Sequence, residues 1–114
     1  MRVKNGTITA KGLIVEINCA NKNDCIYGEE YSLELYQDKQ WRSLNFVIND
    51  RVAWNKIGYV ISNGETQEFS VNWESLYGEL GEGHYRIIKP INDFRSTGDF
   101  DSYNLAAEFS VEKE

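Results

Sequence analysis

One histidine, two cysteines and a loop of three aspartates are the residues of this chain whose types could catalyse a reaction or hold a metal. His84 stands between Gly83 and Tyr85. A hydrolytic triad would need a nucleophile and a carboxylate beside it, and the sequence has no Gly-x-Ser-x-Gly elbow to present the nucleophile. The flanking glycine makes His84 a solvent-facing residue at a turn. Cys19 and Cys25 bracket the polar segment Ala20-Asn21-Lys22-Asn23-Asp24. A reactive thiol requires a partly exposed, electropositive setting, whereas Asp24, Glu29 and Glu30 make this one acidic. Structural zinc takes about four ligands, more than two thiols and one histidine supply. The pair therefore reads either as two free thiols in a reducing cytosol or as a short-loop disulfide formed after export.

Asp93, Asp99 and Asp101 fall within one stretch, and hard oxygen ligands on a flexible backbone suit calcium. Their spacing does not follow the Asp-x-Asp-x-Asp-Gly ligand loop, so a solvated loop is the plainer reading. Gly78-Glu79-Leu80-Gly81-Glu82-Gly83 is glycine-rich but acidic, and a phosphate cradle wants a lysine and a following helix; it reads as a turn. Paired carboxylates of the glycosidase kind sit in a cleft larger than a chain of 114 residues usually builds. No catalytic residue, no metal ligand set and no cofactor is expected. What remains are aromatic side chains, which give large contact area at low entropic cost. Trp41, Trp54, Tyr36, Tyr59 and Tyr103 have no side fixed by alternation, and two or three of them on one sheet face would mark a carbohydrate or protein contact.

The elements that must carry these residues are strands. Alternation with a period of two dominates, and no segment of helical length shows a helical apolar stripe. Leu13, Val15, Ile17 and Cys19 share one face of a strand whose other face holds Ile14, Glu16 and Asn18. Tyr31, Leu33 and Leu35 alternate with Ser32, Glu34 and Tyr36, and after Gln37-Asp38-Lys39-Gln40 the chain resumes at Trp41 as a hairpin. The stretch from Asn49 to Ile61 is irregular and reads as a short edge strand or crossover. Ser62-Asn63-Gly64-Glu65 is a turn, followed by a strand with Phe69, Val71 and Trp73 inward. Ser75 to Gly78 suits one helical turn. A strand over Tyr85 to Lys89 ends at Pro90, which lacks an N–H. An exposed loop covers Asn92 to Ser102, and the last strand turns Leu105, Ala107, Phe109 and Val111 inward. A strand around Ile8 brings the count to seven or eight.

With 41% hydrophobic residues the chain is long enough for one core, and a single domain over residues 1–114 is expected. Its class is all-β, an immunoglobulin-like two-sheet sandwich of seven to eight antiparallel strands. Leu80, Gly83 and Tyr85 have the Leu-x-x-Gly-x-Tyr spacing of a tyrosine that folds back on the preceding corner, but Ile87 stands where an antibody domain places its cysteine. Eighteen acidic residues against 12 basic ones give a net charge of −6, which repels phosphate backbones and anionic lipid heads. Neither nucleic acid nor direct membrane insertion is expected. No apolar run reaches the length of a spanning helix, and the N-terminus lacks a signal-peptide pattern, so an exported form would have lost its signal.

The segment Val52 to Lys89 also resembles a bacterial immunoglobulin-like domain family of Gram-positive envelope proteins and lipoproteins. The likeness rests on Ala53-Trp54 followed by Ile57-Gly58-Tyr59-Val60-Ile61, on Gly64-Glu65-Thr66, and on Asn72-Trp73-Glu74-Ser75-Leu76-Tyr77-Gly78 leading to Gly83-His84-Tyr85-Arg86-Ile87-Ile88-Lys89. Tyr27-Gly28-Glu29, Tyr31-Ser32-Leu33-Glu34 and Lys39-Gln40-Trp41 extend it over earlier strands. Prolines of the pattern before Gly64 and near Gly81 are absent, and the Cys19/Cys25 pair lies outside it. The resemblance implies an extracellular or envelope location, with a cytoplasmic one as the alternative, and a noncatalytic accessory or binding module; it supplies no catalytic residues, and a protein or glycan is the expected partner. Trp41, Trp54, Tyr59, Arg95 and Phe100 are the candidate contact residues. The alternative reading is a small proteinase inhibitor acting through residues 92–102, with Arg95 or Phe100 in the specificity pocket, since small acidic sandwiches of similar outline include an intracellular inhibitor of bacilli. A small enzyme is the third and weakest reading.

Overall fold

A computed structural model describes residues 1–20, 22–47, 54, 57–96 and 98–112. Among the described residues nine strands and one helical turn follow in the order β1 (Arg2–Val3), β2 (Gly12–Asn18), β3 (Asp24–Tyr27), β4 (Ser32–Gln37), β5 (Gln40–Ser43), β6 (Tyr59–Ile61), β7 (Thr66–Asn72), α1 (Glu74–Tyr77), β8 (Gly83–Ser96) and β9 (Asp99–Val111). They form two antiparallel sheets, β1-β2-β7 and a larger one built on β8. One edge of β8 pairs with β4 over Tyr85–Ile88 and, farther along, with β3 over Asn92–Phe94. Its other edge pairs with β9 along nearly its whole length. The architecture is the all-β immunoglobulin-like sandwich that the alternation called for.

The period of two fills the space between the sheets. Leu13, Val15, Ile17, Phe69, Val71 and Trp73 from the small sheet meet Leu33, Tyr85, Ile87, Ile91, Ala107, Phe109 and Val111 from the large one, all buried. Phe109 stacks between Trp73 (ring centroids 5.5 Å apart) and Tyr85 (5.6 Å), which ties the sheets together through one aromatic column. Trp73 Nε1 donates to Ala10 O at 2.9 Å, so the fully buried indole leaves no donor unpaired. The corner tyrosine is present: Tyr85 Oη donates to Gly81 O at 2.8 Å. Gly12 marks the closest backbone approach, since a Cβ there would lie 2.1 Å from Val71 O.

Alternation also buries a charge. Lys89 follows Tyr85 and Ile87 on the inward face of β8 and has no exposed surface. Its Nζ donates to Gly28 O (2.5 Å) and Glu30 O (3.0 Å) and lies over the rings of Phe69 (4.0 Å) and Tyr27 (5.1 Å). Burial pushes its pKa down to about 8 from 10.5, against the pull of Glu29 and Glu30.

Several elements depart from the sequence reading. The N-terminal strand is Arg2–Val3, not a strand around Ile8, which is 38% exposed outside any element. Asp24 opens β3, a strand hidden in the sequence because it is only four residues long and begins inside the cysteine loop. Pro90 does not end its strand: it falls where β8 changes partner from β4 to β3, a stretch of that edge with no rung to lose. The loop expected over Asn92 to Ser102 is instead the far half of a long hairpin, with Phe94 opposite Phe100 and Ser96 opposite Asp99, closed near Gly98 at φ +79°. The irregular region from Asn49 to Ile61 lies outside the described residues except for Trp54 and residues 57–61, where β6 falls.

Candidate functional site

The outer face of the large sheet collects the side chains that alternation turns away from the core. Asp38 and Lys39, both at positive φ, close a tight hairpin that sets Tyr36 opposite Trp41. Because Leu35 faces Tyr85 across β4 and β8, Tyr36 neighbours His84, and His84 faces Ser110 on β9. A row Trp41, Tyr36, His84, Ser110 thus crosses four strands. The row beside it reads Ser43, Glu34, Arg86, Glu108.

Contacts knit the two rows into one patch. The Tyr36 and Trp41 rings lie 5.1 Å apart and tilted by 56°, and His84 lies 5.7 Å from Trp41 and 6.3 Å from Tyr36. The Arg86 guanidinium sits 4.3 Å above the Trp41 ring while its Nε donates to Glu34 Oε1 at 2.5 Å. Cation–π stacking of this kind contributes about 0.5–2 kcal/mol and fixes the orientation of both side chains. Tyr36 stays 44% exposed. The patch is therefore an ordered aromatic and cationic surface with a polar rim.

His84 touches Ser110 Oγ through Nδ1 (3.0 Å) and Glu108 Oε1 through Nε2 (2.9 Å). These are the atom types of a serine hydrolase triad. They stand half-exposed on an open sheet face, His84 at 42% and Glu108 at 62%. His84 itself lies within β8 rather than at a turn.

The remaining sequence candidates scatter. Trp41 joins the patch. Trp54 packs edge-on against buried Tyr31 (5.4 Å), and Tyr59 stacks on Tyr27 (5.2 Å) and donates to Glu29, so both complete the opposite region of the molecule. Arg95 is held by its own hairpin: Nε and Nη2 bind Asp99 Oδ1 at 3.1 and 3.0 Å, and Nη1 binds Asp101 Oδ2 at 3.0 Å. These exposed ion pairs hold Arg95 against the acids of its own hairpin. Phe100 remains 47% exposed on the hairpin. Among the described residues no group of three or more His, Cys, Asp and Glu side chains is arranged to hold a metal ion. Cys19 and Cys25 are joined in a buried disulfide, Cα atoms 5.9 Å apart, linking the end of β2 in one sheet to β3 in the other. No helix among the described residues is long and apolar enough to cross a membrane.

Sequence reasoning named Trp41 and Tyr36 as aromatics that could share a face, but missed His84 and Arg86 as their partners. The signal was available in the short Asp38-Lys39 turn, which fixes the β4–β5 register, but the β4–β8 register depends on contacts about fifty residues apart.

Comparison with known families gives one match, a family described as a bacterial Ig-like domain, over residues 1–110. No curated protein and no solved structure matches the chain.

Proposed function

Because the chain belongs to the bacterial Ig-like domain family, we propose that it serves as a noncatalytic binding module of a Gram-positive envelope protein, engaging its partner through the outer face of the large sheet. The family supports a noncatalytic module, and the buried disulfide fits an oxidising compartment outside the cytosol. The observation that carries the binding role is the patch of Trp41, Tyr36, His84 and Arg86. Trp, Tyr and Arg are the residues that dominate binding energy when they cluster, and these are held in place before any partner arrives. The partner is protein or glycan. The 56° tilt between the Tyr36 and Trp41 rings offers no flat stacking plane, which favours a protein surface over a run of sugar rings.

Co-sedimentation with purified Gram-positive cell walls, intact and stripped of protein, tests the reading. Wild-type domain should pellet with intact walls, and Trp41→Ala and Tyr36→Ala should each release it while Trp54→Ala does not. Equal pelleting of all four, or none by the wild type, refutes it.

A further inference from the structure

The far half of the β8–β9 hairpin carries a second surface, independent of the patch. From Ala107 to Val111, β9 alternates between buried and exposed, as a strand covering a core must. From Asp99 to Asn104 every residue is exposed on both faces, so no layer lies over this part of the hairpin. Its outer edge is also open. The only strand that β9 pairs with among the described residues is β8; β1 also packs against β9, and the two share a hollow lined by Ala106 to Glu108. Asp99 to Leu105 is therefore a preformed strand whose outer row of backbone N–H and C=O groups has no strand partner among the described residues. It contains no proline and no lysine, the residues that usually blunt such edges, and it displays Phe100 and Tyr103, each about half exposed.

We propose that this edge pairs antiparallel with the same edge of a second copy, with Ser102 on the two-fold axis. The free stretch is centred on Ser102, so that register alone pairs its full length. It sets Asp101 opposite the partner's Tyr103, Phe100 opposite the partner's Asn104, and Asp99 opposite the partner's Leu105. No carboxylate faces a carboxylate. Registers centred on Phe100 or Asp101 would oppose Asp99 to Asp101 or Asp101 to itself, which disfavours them. Arg95, bound to Asp99 and Asp101 within the same hairpin, lowers the repulsion between the two edges. A second copy suits the edge better than a foreign peptide because its strand is already extended and needs no ordering. One isologous contact closes both free edges. The contact is small, so the dimer is weak and reversible, and with −6 on each chain it tightens as salt screens the repulsion.

Sedimentation equilibrium up to about 1 mM, a range suited to small interfaces, should show a monomer–dimer equilibrium shifted toward dimer by added salt. The register is read by oxidative cross-linking. Ser102→Cys should give a disulfide-linked dimer, because paired residues at the axis lie within disulfide reach. Asn104→Cys should not, because its two copies are separated by several residues along the strands. The native cysteines are already bonded to each other and do not compete. Tyr103→Asp places a carboxylate opposite Asp101 and should weaken the dimer about tenfold or more, whereas Tyr103→Lys should preserve it. Tyr103 is an exposed residue, so neither change threatens folding. A monomer throughout the concentration range, equal cross-linking of the two cysteine variants, or equal weakening by Asp and Lys overturns the proposal.

Discussion

Replacing Lys89 by Met isolates the thermodynamic effect of a lysine without exposed surface in the core. Met keeps the length of the stem and removes the amine, leaving Gly28 O and Glu30 O without their donor. Two unpaired buried carbonyls cost about 1–3 kcal/mol each, while removing a buried ammonium whose pKa falls from 10.5 to about 8 recovers about 3 kcal/mol. Near neutral pH these nearly cancel, and the variant unfolds at close to the wild-type denaturant midpoint. The informative quantity is how the difference changes with pH. Between about pH 8 and pH 10.5 the unfolded chain keeps a proton on Lys89 that the folded chain has released, so wild-type stability rises with pH through that window. The neutral amine still donates to both carbonyls. From about pH 7 to about pH 9.5 the linkage amounts to about 2 kcal/mol. Urea unfolding of both proteins with the disulfide intact, followed by circular dichroism across this range, cancels the tyrosines and other lysines common to both. A wild-type advantage that fails to grow by about 0.5 kcal/mol would show that the amine is not held as a desolvated base.

Two other substitutions and one reduction probe the frame. Tyr85→Phe removes only the corner hydrogen bond to Gly81 O and should cost about 1 kcal/mol in chemical denaturation, with the aromatic column intact. Reducing the Cys19–Cys25 bridge reopens a short loop and should lower stability by about 2 kcal/mol, seen as a lower unfolding temperature in reductant. Gly12→Ala drives a Cβ into Val71 O and should cost about 1–3 kcal/mol or more, since the obstruction is backbone and the strands must part for it.

Local pattern made much of this fold legible. The inward residues of β2, β7 and β9 follow from alternation alone, and the Asn63-Gly64 turn and the Leu80, Gly83, Tyr85 spacing read as the structure has them. The misreadings share a cause: each required knowing which strand lies alongside. Pro90 looks like a terminator until β8 is seen to change partners there. Residues 92–102 look like a loop because Asp, Ser and Gly are poor strand formers. Arg95 between Asp99 and Asp101, and Ser102 bonded to Asn92 across the hairpin, supply the cross-strand pairs that hold it extended. The aromatic patch on the outer face was the least legible part for the same reason. Its members come from three strands, and nothing in the sequence around Trp41 announces that Arg86 will lie on its ring.

The patch and the free edge occupy opposite ends of β8 and β9, and their placement decides what a dimer would do. His84 and Ser110 define the patch end, while Ser102 lies eight residues earlier on the same face of β9. At about 3.3 Å per residue the patch sits about 25 Å from the two-fold axis along the strand. Antiparallel pairing turns one copy about an axis normal to the sheet, so both patches emerge on the same side, about 50 Å apart, and neither is covered by the contact. With the patch acting as proposed, each module would bind its own target, and the second engagement would become intramolecular on any surface that repeats its binding sites over that span. On a repetitive envelope surface, a weak dimer of weak binders can hold far more tightly than either contact alone. Tyr103→Asp would lower that avidity while leaving single-site binding at Trp41 untouched, and Trp41→Ala would abolish both. A Tyr103→Asp chain that clings to cell walls as firmly as the wild type would separate the two surfaces and leave the patch to act by itself.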